Sequence, residues 1–181
     1  LNLLLTLPSI EILCPADGQA LQATIPYALK QDHPVAIRYP RGAAQPIKGP
    51  FDPACLAPQV VREGTACTLV VLGTLLNAAL TATEQLAQEG LACEVIALQR
   101  AKPLDPELII QSVQKTGHLL LAEETSEAGG LGQVLATRLM QAVPGVHLAL
   151  AASRDEPLHQ ATRAQLLADQ QLDAAGLAAR I

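Results

Sequence analysis

The sequence predicts an α/β fold built around a mostly parallel β-sheet with helices packed against it. Half of the 181 residues are apolar but only 2% are aromatic, so the core must consist mainly of Leu, Val, Ile and Ala. Short apolar runs alternate along the chain with segments of helical periodicity. Strands that are apolar on both faces are typical of parallel strands joined by right-handed crossovers.

The first 45 residues predict a single β-α-β unit. Its elements are a strand at Ile10–Leu13, a helix from about Asp17 to about Lys30, and a strand at Val35–Arg38. Asp17 suits the N-cap position, and Leu21, Ile25 and Leu29 lie on one stripe of the helix. A unit of about 45 residues buries too little surface to fold alone.

Residues 46–63 are predicted to form an exposed linker between two domains. Proline and glycine punctuate this stretch, and it shows no helical periodicity. A short edge strand is predicted within it at Gln59–Arg62. The expected domains are therefore residues 1–45 and residues 64–181.

Strand and helix alternate four times after Gly64, which predicts the main sheet. The predicted strands are Cys67–Leu72, Cys93–Leu98, His118–Ala122 and Val146–Leu150. The predicted helices are Leu75–Gln88, Pro106 to about Lys115, Gly130–Ala142, about Thr162–Asp169 and Asp173–Arg180. Gly73-Thr74 is expected to form a tight turn with a helix cap.

Composition argues against several classes of function. The net charge is −5 and no Lys or Arg cluster is present, so nucleic-acid binding is not expected. No apolar run reaches the roughly 20 residues that span a bilayer, so no membrane segment is expected. Neither the cysteines nor the histidines show metal-ligand spacing, and reduced, buried thiols are expected. These residues are Cys14, Cys55, Cys67, Cys93, His33, His118, His147 and His159.

Two arginines are candidate anion ligands. Arg38 and Arg41 lie at the carboxyl end of a predicted strand, where open α/β sheets collect their ligands. A guanidinium group fits a phosphate or carboxylate in a forked arrangement. The alternative is that both are surface arginines that pair with nearby acids.

A second candidate motif is Glu123-Glu124 followed by Gly129-Gly130-x-Gly132. A glycine-rich turn that opens a helix can bind phosphate through its N–H groups, but the preceding acids would repel an anion. The glycines also do not have the spacing of a dinucleotide-binding motif, and the lysine of a P-loop is missing from the segment. Close packing at the glycines, and capping by the carboxylates, are therefore favoured over a phosphate cradle or acid–base chemistry. Ser126 and Ser153 fit no nucleophile motif.

Six segments, in order, resemble the 1-deoxy-D-xylulose-5-phosphate synthases, thiamine-diphosphate enzymes of the transketolase group. They are LPSIEILCPAD (7–17), PVAIRYPRG (34–42), LGT (72–74), KPLD (102–105), EE with GGLG (123–132) and LDAAGL (172–177). RYPRG and LDAAG are specific to this family, and the other segments are shared more widely.

The resemblance implies a three-layer α/β/α transketolase C-terminal-like domain, preceded by the tail of a pyrimidine-binding domain. Enzymes of this family condense pyruvate with glyceraldehyde 3-phosphate and release CO2, using thiamine diphosphate and Mg²⁺. Arg41 matches the family arginine that holds the phosphate of the acceptor, and Arg38 is expected to support it. No catalytic, cofactor-binding or metal-binding residue is expected among these 181 residues.

The resemblance also implies partners. The chain is expected to function with N-terminal domains of a longer protein or with a partner subunit, as a homodimer in the cytoplasm, or in a plastid if it is a plant protein. Alone it is expected to be inactive. The alternatives are a portion or subunit of another transketolase or 2-oxoacid dehydrogenase β-type protein, and a non-catalytic assembly module.

Overall fold

The computed structural model describes residues 1–181 and contains two sheets. The helices are α1 (Asn2–Leu5), α2 (Gly18–Ala28), α3 (Leu76–Gln88), α4 (Glu107–Thr116), α5 (Leu131–Ala142), α6 (Arg163–Asp169) and α7 (Ala174–Arg180), with a 3₁₀ turn at Gly73–Leu75 before α3. The strands are β1 (Glu11–Leu13), β2 (Val35–Ile37), β3 (Gln59–Arg62), β4 (Thr68–Leu72), β5 (Glu94–Leu98), β6 (Arg100–Lys102), β7 (His118–Ser126) and β8 (His147–Ser153). No helix has the length and apolar character needed to cross a bilayer.

The larger sheet has the strand order β3-β5-β4-β7-β8. Strands β5, β4, β7 and β8 are parallel, which confirms the mostly parallel sheet predicted from the apolar strands. The edge strand β3 runs antiparallel to β5. The segment expected to be a linker, residues 46–63, therefore contributes one strand to this sheet.

Helices cover both faces of the larger sheet, so the three-layer arrangement is confirmed. Along β4, Leu69 and Val71 face a core formed with α3 and α7, whereas Val70 and Leu72 face a core formed with α4 and α5. All four side chains are buried. Successive strand residues point to opposite faces, so each strand of the sheet supplies both cores.

The smaller sheet joins the N-terminal unit to the segment that follows β5. Strand β1 pairs in parallel with β2, as the predicted β-α-β unit requires, and pairs antiparallel with β6. Strand β6 follows β5 directly, and the backbone N–H of Cys14 donates to the carbonyl of Gln99 at 2.8 Å. The N-terminal unit is therefore hydrogen-bonded to the part of the chain that carries the larger sheet.

Helix α2 begins as predicted but presents its apolar stripe to solvent. The Asp17 side chain accepts a hydrogen bond from Ala20 N at 2.8 Å, which confirms the N-cap. The buried residues of the helix are Ala20 and Thr24, whereas Ile25 is 46% and Leu29 is 82% exposed. The stripe seen in the sequence is thus an uncovered apolar surface of the chain.

A buried carboxylate stabilises the start of β5. Glu94 accepts hydrogen bonds from Ser112 and Lys115 of α4, and the Ser112 hydroxyl lies 2.6 Å from that of Thr68. Burial opposes ionisation of Glu94, but the bonds from Lys115 and Ser112 outweigh it and lower the pKa of this carboxyl. The ion pair thus attaches α4 to the sheet.

We expect Lys115→Met to lower the free energy of unfolding by about 1 kcal/mol at neutral pH, since Lys115 is partly exposed. A carboxyl with a lowered folded-state pKa contributes stability above its ordinary pKa, and this contribution is lost as the pH falls through the lowered value. The difference from wild type, measured by urea unfolding, should therefore shrink toward pH 3. Lys48→Met, at an exposed lysine, is the control, and a difference that does not depend on pH would contradict the role of Glu94.

Candidate functional site

A cavity of about 560 Å³ lies between the smaller sheet and the 3₁₀ turn. Its walls are the start of α2, the segment 39–45 that follows β2, the start of α3, and α6. Three charged residues line it, namely Asp17, Arg41 and Arg163. The cavity is therefore the place where the candidate arginine Arg41 can meet a ligand.

Arg41 is exposed at the wall of this cavity. None of the ion pairs within the chain involves it. Its guanidinium group therefore has no ion-pair partner within the chain, and its role as an anion ligand stays a prediction.

Arg38 has a different environment. It is half-buried, its Nη2 donates to the backbone carbonyl of Glu124 at 2.9 Å, and it lies 3.9 Å from the Glu124 carboxylate. These contacts hold the end of β2 against β7. The position suits a residue that supports the loop carrying Arg41 rather than one that contacts a ligand.

The carboxylate of Asp17 is occupied by backbone donors. One oxygen accepts from Ala20 N, and the other accepts from Ile47 N at 3.1 Å. The Asn77 side chain also donates to the carbonyl of Pro46 at 3.1 Å. The Ile47 and Asn77 contacts attach the segment after Arg41 to α2 and α3. The two backbone N–H groups on Asp17 partly offset the negative charge of the one acid in the cavity wall.

Arg163, the third charged residue, is bound to Glu124 and Thr74. Its Nε donates to Glu124 Oε2 at 3.2 Å, and its Nη2 donates to Glu124 Oε1 and to the Thr74 hydroxyl. Thr74 in turn donates to Glu124 at 2.9 Å. The prediction that the Gly73-Thr74 turn caps a helix was therefore wrong, because the Thr74 hydroxyl bonds the carboxylate and α3 has no side-chain cap.

Sequence reasoning missed Arg163. The residue is 39 positions from Glu124, and no motif links the two. The one local signal was the capping box formed by Thr162 and Gln165, which fixes the start of α6 and hence the position of its first residue.

Glu123 caps a helix, as the favoured interpretation proposed. It is fully buried, and its carboxylate accepts from Leu131 N at 3.0 Å, from Gly132 N at 2.8 Å and from the Thr125 hydroxyl at 2.6 Å. A negative charge at the start of α5 also suits the helix dipole. Because the N–H groups of this turn are taken, they do not form a phosphate cradle.

The glycines of the same motif are required for packing. A Cβ on Gly130 would lie 2.6 Å from Glu123 Oε1 and 2.8 Å from the carbonyl oxygen of Ser126. A Cβ on Gly132 would lie 2.6 Å from the Leu150 side chain. The prediction that these glycines serve close packing and not phosphate binding is confirmed.

The cysteines are unpaired thiols, and Cys14, Cys67 and Cys93 are buried. Burial raises the pKa of the Cys14 thiol to about 11. His118 and His147 stack on each other with ring centroids 4.9 Å apart. No group of three or more His, Cys, Asp or Glu side chains could hold a metal ion.

Residues 57–177 match the family model described as "Transketolase, C-terminal domain". The chain belongs to this transketolase family. It is 35% identical to a 1-deoxy-D-xylulose-5-phosphate synthase from Polaromonas sp., over 97% of this chain and 27% of the relative. It is 33% identical to a 1-deoxy-D-xylulose-5-phosphate synthase 1 from Geobacter sulfurreducens, over 99% of this chain and 29% of the relative. The similarity inferred from the motifs is confirmed, and it lies in the C-terminal portion of these synthases.

A solved structure gives the same fold. The protein named "Split gene transketolase, inactive beta4 tetramer" superposes with a TM-score of 0.87 at 30% identity, over 99% of this chain and 59% of the other. This chain thus spans less than a third of the two curated synthases and under two thirds of the solved transketolase chain.

We expect Glu123→Gln to lower the free energy of unfolding by about 1–3 kcal/mol, because the amide group would place a donor against a buried backbone N–H. Chemical denaturation of the chain measures the change. Glu127→Gln, at an exposed acid of the same turn, is the matched control. Equal stability of the two variants would show that the carboxylate is not needed as a cap.

Proposed function

We propose that the chain is the C-terminal portion of a thiamine-diphosphate-dependent transferase that makes 1-deoxy-D-xylulose 5-phosphate from pyruvate and glyceraldehyde 3-phosphate, with release of CO2. The observation that carries this proposal is Arg41, an exposed arginine without an ion-pair partner in the RYPRG segment, at the wall of a 560 Å³ cavity. The matched synthases support the choice of reaction.

In this proposal Arg41 binds the phosphate group of glyceraldehyde 3-phosphate. A guanidinium group presents donors in a fork that matches two phosphate oxygens, and charge-assisted bonds of this kind are among the strongest hydrogen bonds. Arg38 supports the site by fixing the end of β2 to Glu124. Neither arginine takes part in bond breaking.

This chain is proposed to supply no ligand to the metal–diphosphate group, because none of its segments that resemble the synthases is expected to bind the cofactor. Thiamine diphosphate, which supplies carbanion stabilisation in this class of enzyme, and Mg²⁺ are proposed to bind to N-terminal domains or to a partner subunit. The exposed stripe of α2 gives such a domain an apolar surface to cover. A homodimer in the cytoplasm, or in a plastid for a plant protein, completes the proposal.

A second candidate is a subunit of a split transketolase-type enzyme. The solved relative is named as a split-gene transketolase, and 99% of this chain superposes on 59% of that chain. In that case the cofactor-binding domains would belong to a separate polypeptide. Purification of the native protein under mild conditions distinguishes the two candidates by whether one or two kinds of chain are recovered.

We expect Arg41→Ala in the full-length enzyme to raise the KM for glyceraldehyde 3-phosphate while leaving the KM for pyruvate nearly unchanged. The loss of a charge-assisted phosphate contact costs about 1.5–3 kcal/mol, which is roughly 10- to 100-fold in affinity. Steady-state kinetics with each substrate varied in turn measures the effect. Arg138→Ala, at an exposed arginine of α5, is the control, and equal changes for both substrates would contradict the phosphate role.

We expect the purified chain of residues 1–181 to release no CO2 from pyruvate, even with thiamine diphosphate and Mg²⁺ added. The reason is that the groups that bind and activate the cofactor are proposed to lie in N-terminal domains or a partner subunit, outside residues 1–181. Release of ¹⁴CO2 from labelled pyruvate is the measurement, and the full-length enzyme is the positive control. Turnover by the chain alone would mean that the assignment of the catalytic groups is wrong.

A further inference from the structure

The cavity that holds Arg41 contains a second guanidinium group with unused hydrogen-bonding capacity. Arg163 lines the same cavity from α6, and its side chain is 39% exposed. Resting on the function proposed above, we propose that Arg163 is a second phosphate-binding residue of this cavity, held in position by Glu124 and Thr74. The acceptor phosphate would then be bound by one arginine from each side of the cavity.

The charges of the cavity wall favour an anion. Two arginines and one acid line it, and that acid, Asp17, already accepts hydrogen bonds from two backbone N–H groups. The negative charge of Glu124 is shared between Arg163 and Arg38. Positive charge therefore remains uncompensated in the cavity, and a phosphate group would balance it.

The geometry of Arg163 leaves part of the guanidinium group available. Nε and Nη2 bond Glu124 and Thr74, whereas Nη1 makes no hydrogen bond within the chain. A guanidinium group has five N–H donors in a plane, so the edge that carries Nη1 can bind a phosphate oxygen while the other edge stays on Glu124. The Glu124 carboxylate thus orients Arg163 and leaves the N–H groups of Nη1 free to donate.

The position of Arg163 in its helix is not explained by helix stability. It is the first residue of α6, where a positive charge is opposed by the helix dipole. The capping box of Thr162 and Gln165 stabilises the start of the helix without any help from the Arg163 side chain. The Arg163 side chain is thus held by its contacts with Glu124 and Thr74 and not by the helix.

The test uses the full-length protein and measures the Kd of glyceraldehyde 3-phosphate by isothermal titration. We expect Arg163→Gln to raise this Kd by about 10- to 100-fold and Arg163→Lys to raise it less, since lysine keeps the charge but not the fork. Glu124→Gln removes the carboxylate that orients Arg163 but keeps the Arg163 cation, so we expect it to raise the Kd by less than Arg163→Gln does. Arg138→Gln is the control at an exposed arginine.

The outcomes separate this inference from the proposed function. If Arg41→Ala weakens binding and Arg163→Gln does not, the second phosphate ligand is refuted and the proposed function stands. If Glu124→Gln and Arg163→Gln weaken binding equally, Arg163 acts only through the ion pair, and the inference fails. If neither arginine variant changes the Kd, both proposals fail. Binding of D-glyceraldehyde, which lacks the phosphate, should be the same in wild type and Arg163→Gln, and an equal loss for this ligand would contradict the phosphate role of Arg163.

Discussion

The site depends on the ion pair between Glu124 and Arg163. The Glu124 side chain is 12% exposed, and it bonds Arg163 at the start of α6 and Thr74 in the 3₁₀ turn, while the backbone carbonyl of Glu124 accepts from Arg38 at the end of β2. Three segments that are far apart in sequence therefore meet at one residue. The contacts of Glu124 thus fix the positions of Arg163 and Arg38 relative to the 3₁₀ turn.

A poorly solvated carboxylate of this kind is better understood as a geometric constraint than as a source of stability. Removing two charges from water costs free energy that their attraction repays only when the geometry and the additional hydrogen bonds are good. Glu124 satisfies both oxygens with side-chain donors. Glu123, its neighbour, serves a separate purpose by capping α5, so two adjacent acids in one strand organise two different regions.

Local patterns in the sequence predicted most of the fold and only part of the site. The apolar runs of β4 and β5 and the Asp17 cap are signalled by neighbouring residues, and the structure contains all three. Strand β6 has three residues, too few to show a period, and it exists only because β1 lies beside it. The role of Arg163 was not visible because its partner Glu124 is distant in sequence, and the capping box marked only where α6 begins. The stripe of Ile25 and Leu29 was visible, but periodicity alone does not say which face of a helix is covered.

The pairing of β6 with β1 has a consequence for how the cavity forms. Strands β5 and β6 are separated by one residue, so the smaller sheet continues directly from the larger one, and β1 reaches it across nearly 90 positions of sequence. Contacts between distant residues are slow to form, because the loop entropy is lost before the contact is gained. The larger sheet can assemble from nearby segments, whereas β6 becomes a strand only when β1 pairs with it. We therefore expect the two walls that carry Arg41 and Arg163 to come together only once β1 has paired with β6.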